Sequence, residues 1–80
     1  APGFPLSIGS KKSALQHAKR AIELDPGNLD YQLQLALALE YNGRKDEAIS
    51  VLESLLVDPA LNQEPELRAE AEAYHLDFTK

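Results

Sequence analysis

Two Asp-Pro pairs constrain this chain more than anything else in it. The segment "ALQHAKRAIELDP", residues 14–26, lays over "AISVLESLLVDP", residues 48–59, with Ala14 and Ala48 standing 34 residues apart. Each alanine opens the apolar face of a run of helix formers, and each run closes at proline. Proline has no amide hydrogen for the helical ladder and its ring clashes with the preceding turn, so neither helix can continue past it. A repeat built from short helices cannot bury its apolar face alone, so neighbouring units must stack. The expected fold is all-α, with about four helices, and the short connections make neighbours antiparallel hairpins.

The remaining punctuation places those helices. Ser10 is a suitable N-cap for a first helix through "KKSALQHAKRAIELD", which "DPGN" ends at Asp25 to Asn28. A second helix is expected from about Leu29 to Tyr41, stopped by Asn42 and Gly43. A third covers "KDEAISVLESLLV" and stops at Asp58 and Pro59. "ALNQEPE" is expected to be a loop, with Pro65 in the first turn of a fourth helix that aligns Leu67, Ala71, Tyr74 and Phe78 on one face. Residues 1–9, "APGFPLSIG", hold two prolines and two glycines and cannot be helical. Their alternating Phe4, Leu6 and Ile8 suit an extended segment laid on an apolar surface. The expected division is residues 1–9 as that segment and residues 10–80 as one helical domain.

The second helix raises a question of its own. "YQLQLALALEY" puts leucine at 33, 35, 37 and 39, the alternation of a half-buried strand. The run has no β-branched residue, and leucine, alanine, glutamine and glutamate all favour helix. At about 100° per residue, Leu35 and Leu39 fall on one face and Leu29, Leu33 and Leu37 on another. The alternation is two helical stripes superposed, and the second stripe needs a cover.

The 34-residue helix–turn–helix period, with "AIELDPGN" and "NGRKDEAI", resembles the tetratricopeptide repeat (TPR) family. In a complete repeat over about residues 29–59, Leu35 fills the leucine slot, Ala36 the small slot, Leu39 the large aromatic slot, Gly43 the turn and Ala48 the alanine. Leu52, Leu55 and Pro59 follow, while Ala14, Ala18, Ala21 and Pro26 fill the slots of a preceding partial repeat. Gln32 stands where the family often has tryptophan, Leu55 replaces a small residue, and Pro59 comes one residue early relative to Pro26. The lead-in "PLSIGSKKSAL" is similar to that of a bacterial group of TPR proteins. The resemblance implies a short right-handed solenoid of stacked hairpins, with Leu35, Ala36 and Leu39 packed inside the helical pair. It also implies that Asp30, Leu33, Leu37, Glu40 and Tyr41 belong to the concave, partner-facing side, and Leu29 joins them as a member of the Leu33 and Leu37 stripe. Leucines at 33 and 37 do not match the lysine and asparagine of TPR carboxylate clamps. The stripe is then covered by the fourth helix or by "GFPLSI", or it binds an apolar peptide, a protein or a second copy of the chain. A structural or capping segment of a longer helical-repeat protein is the alternative.

Composition narrows the classes. Eighty residues make one small domain, burying only about 60–65% of the surface exposed on unfolding. The net charge of −5 argues against a nucleic-acid partner, which needs clustered cations. Four basic residues and no acid precede residue 23, whereas four basic and thirteen acidic residues follow. Solvated helix faces explain this asymmetry, and a basic start meeting an acidic neighbour is the sharper alternative. No apolar run is long enough to insert into a bilayer. There is no cysteine and no initiator methionine, so the chain is expected to be a processed or excised piece; the compartment stays open, with the cytoplasm slightly favoured. Glu72 and His75 have the Glu-x-x-His spacing of di-metal helical bundles, a remote alternative because the motif occurs once. His17, beside Lys19 and Arg20, reads as a surface residue. No serine has a histidine and acid in a recognisable partnership, so neither catalysis nor a cofactor is expected.

Overall fold

A computed structural model describes residues 11–80. The expectations for residues 1–9 and for Ser10 as an N-cap lie outside the described residues. The rest form α1 (Lys11–Leu24), α2 (Leu29–Tyr41), α3 (Lys45–Leu56), a 3₁₀ turn (Pro59–Gln63) and α4 (Pro65–Phe78). The fold is all-α, in antiparallel helical hairpins, and "YQLQLALALEY" is helical throughout.

Local chemistry accounts for the boundaries. Asn28 caps α2, its side-chain oxygen accepting from the Tyr31 amide at 3.2 Å. At the other end Gly43 takes φ +78°, so the Arg44 amide donates to Leu39 O at 2.9 Å and the Gly43 amide to Glu40 O at 3.0 Å. That pair is a Schellman motif, which needs a left-handed residue and so favours glycine. Pro65 starts α4 where its missing amide hydrogen costs nothing.

"ALNQ" was expected to be loop, and this is where the structure differs. Asp58 Oδ1 accepts from the Ala60 amide at 2.9 Å and starts a 3₁₀ turn. The turn drives Leu61 fully into the core beside Leu52 and Leu55, also fully buried. Burial of each such leucine is worth about 1.5–3 kcal/mol.

Successive helices pack on one another, α2 against α3 most extensively. One core runs from Leu15 and Ala18 of α1 through Ala36 and Leu39 of α2 to Leu67, Ala71 and Phe78 of α4. Among the described residues no helix is long and apolar enough to cross a membrane.

Candidate functional site

The second stripe of α2 runs along the helix at four-residue spacing, and α4 lies alongside it in the same direction. The N-terminal ends of the two helices meet at one depression, lined by Leu29, Asp30, Glu64 and Leu67. Their C-terminal ends meet at another, a groove of about 440 Å³. Leu37, Glu40 and Tyr41 enter it from α2, and Tyr74, Asp77 and Phe78 from α4. Leu33 lies between the two openings and is only 5% exposed, in the core that also holds Leu67 and Ala71.

The six residues singled out from the sequence therefore separate. Leu29 and Asp30 share the first depression. Leu37, Glu40 and Tyr41 share the groove. Leu33 is closed over and offers no surface to a partner.

The groove has an apolar floor and a polar rim. Leu37 is half-buried and packs on the core, while the Tyr74 and Phe78 rings sit one helical turn apart with centroids 6.0 Å apart. Tyr41 is 45% exposed at the edge, and the Lys11 ammonium lies 5.1 Å from its ring centroid. A cation over an aromatic face is held by the ring quadrupole. Asn42 Nδ2 donates to Lys11 O and to Ala38 O, both at 2.8 Å, fixing the start of α1 at the C-terminus of α2. Ala14, one turn further along α1, completes the wall. Glu40 and Asp77 bring carboxylates to the rim, and neither is in an ion pair among the described residues.

Tyr74, Asp77 and Phe78 were not among the residues picked from the sequence as partner-facing. Tyr74 and Phe78 were visible there as one apolar face of α4. That this face shares a groove with α2, which is separated from it by α3, is a fact of tertiary packing.

The Glu-x-x-His pair does not converge. Glu72 Oε2 accepts from Arg68 Nε at 3.1 Å, and His75 Nε2 lies 3.2 Å from Glu53 Oε2 on α3. No group of three metal-ligating side chains comes together among the described residues.

A family profile for the tetratricopeptide repeat matches residues 11–69, most of the chain. The chain belongs to the tetratricopeptide-repeat family. TPR units are protein–protein interaction modules in general and non-catalytic scaffolds. Searches of curated proteins and of solved structures return no significant match.

The slots assigned from the sequence to the complete repeat fall on α2 and α3, and those of the preceding partial repeat on α1. The small and alanine slots, Ala36 and Ala48, are fully buried, and Leu39 in the large aromatic slot is 3% exposed. Leu35 differs, being only half-buried against the core. It lies in a shallow depression with Ile22, Gln32 and Val51.

Proposed function

We propose that this chain is a protein-interaction module that takes an apolar segment of a protein partner into the groove between Leu37 and Tyr41 of α2 and Tyr74 and Phe78 of α4. The observation that carries this reading is the composition of the groove: an apolar floor open to solvent, rimmed by Glu40 and Asp77, which have no ion-pair partner among the described residues. An apolar peptide buries its side chains on such a floor, and a lysine or arginine beside them meets the rim carboxylates. The TPR family supports the general role. No residue of the groove is called on to do chemistry.

Panning a random-peptide display library against the chain and against Leu37→Glu tests this. The expected result is enrichment of apolar sequences with a flanking basic residue on the wild type, lost on the variant. Equal enrichment on both proteins, with the variant folded by circular dichroism, would overturn it.

A second reading is favoured by one observation on the opposite side of α4. Ala69, Ala73 and Leu76 recur at helical spacing and are exposed, Leu76 at 64%. A further helix stacked there would make this chain a structural segment of a longer helical array. Sedimentation of wild type and Leu76→Glu separates the readings: self-association removed by the substitution supports stacking, whereas a monomer in both leaves the groove as the interaction surface.

A further inference from the structure

We propose that the outer face of α4 docks on the outer face of α1 of a second copy, so that chains associate head to tail. This rests on the stacking reading of the Ala69, Ala73 and Leu76 face and names its occupant. The first observation is the packing order. α1 packs on α2 and α4 on α3, so among the described residues each of these helices keeps one long side open. On α1 the buried side holds Ala14, Leu15 and Ala18, while Lys12, Gln16, Lys19 and Arg20 are exposed and turned away from it. On α4 the buried side holds Leu67, Ala71 and Phe78. Its open side carries Ala69, Ala73 and Leu76, with Glu66 and Glu70 exposed beside them.

The second observation is charge. α1 carries four lysines and arginines and one acid, whereas α4 carries four acids and one arginine. Lys12, Lys19, Arg20, Glu66 and Glu70 are in no ion pair among the described residues. Surfaces of opposite sign attract when two copies meet, although each copy has a net charge of −5. Pairing α4 with α4 would instead set like charges against each other beside Leu76. That is why the occupant is α1 of the second copy.

Shape agrees with charge. Both helices have 14 residues, a length of about 21 Å, so each can cover the other from end to end. Ala69 and Ala73 are small enough to let a helix approach closely, and Leu76 gains the cover it lacks. The aliphatic stems of Lys19 and Arg20 can lie on that apolar stripe with their charged heads toward Glu70 and Glu66. The contact is heterologous, since neither helix meets its own counterpart. Each docking event leaves one α1 face and one α4 face free, and growth continues as an open row.

Sedimentation equilibrium of the 80-residue chain tests this. One helix face is at the small end of protein interfaces, so the range must extend to about 1 mM. The average mass is expected to rise past that of a dimer with concentration and to fall as salt is added. Two charge reversals, Lys19→Glu with Arg20→Glu and Glu66→Lys with Glu70→Lys, should each weaken association by about tenfold or more. Circular dichroism checks that both variants are folded. An equimolar mixture of the two should associate again, because each offers the sign that the other has lost. A wild type that stays monomeric throughout would overturn the proposal, and so would a mixture that stays monomeric. Association abolished by Leu76→Glu but untouched by either charge reversal would keep the stacking face and remove α1 as its occupant. Association lost only in Leu37→Glu would place the contact at the groove and overturn both.

Discussion

Leu33 and Leu37 are one turn apart on the same stripe of α2, yet they belong to different regions of the molecule. Around Leu33 the stripe is closed into the core with Leu67 and Ala71, and Leu61 of the 3₁₀ turn is driven into that same core. Around Leu37 it is open, and the floor passes to Tyr74 and Phe78 across a groove of about 440 Å³. The difference lies in what the neighbouring elements bring to each end, since the side chain is the same. The closed end supplies stability and the open end supplies a surface.

The largest test of that contrast is a pair of charge insertions. Leu33→Glu buries an unpaired carboxylate and is expected to unfold the chain, while Leu37→Glu, with access to solvent, stays folded and loses groove ligands. Far-ultraviolet circular dichroism of both variants checks this, and equal unfolding would erase the distinction. Next in size is Leu61→Ala, expected to cost about 2–5 kcal/mol in urea unfolding because it empties a fully buried site. A cost no larger than that of Leu37→Ala would place the anchor of α4 elsewhere.

Smaller effects sharpen the open end. Gly43→Ala meets no atom within 4 Å but must hold φ at +78°, and a loss of about 1 kcal/mol is expected from thermal melting. Because Gly43 ends the helix that carries Tyr41, groove binding should weaken along with it. The smallest effect is expected from Arg68→Ala. Its 3.1 Å pair with Glu72 is exposed, and removing it should change stability by under about 0.5 kcal/mol.

Much of this architecture was legible before any coordinates. The residues Pro26, Pro59 and Gly43 stop helices by backbone chemistry that acts within a few residues, so the helix positions followed from local signals. Ala36, Leu39, Ala48 and Leu52 followed from the helical period and from the family pattern. The 3₁₀ turn was missed. "ALNQ" has too few residues for a period, and Leu61 reads as an isolated apolar residue in a loop until something packs against it.

The site was legible only in part. Which residues share the second face of α2 is a property of one helix, and spacing alone determined it. Which of them stay accessible depends on α4, brought alongside by the stacking of α3 and the turn between them. Pairing Leu37 and Tyr41 with Tyr74 and Phe78 joins positions more than thirty residues apart in sequence. The closing of Leu33 and the opening at Leu37 were therefore decided by tertiary structure. Periodicity specifies a direction around a helix axis, whereas burial depends on what arrives from that direction.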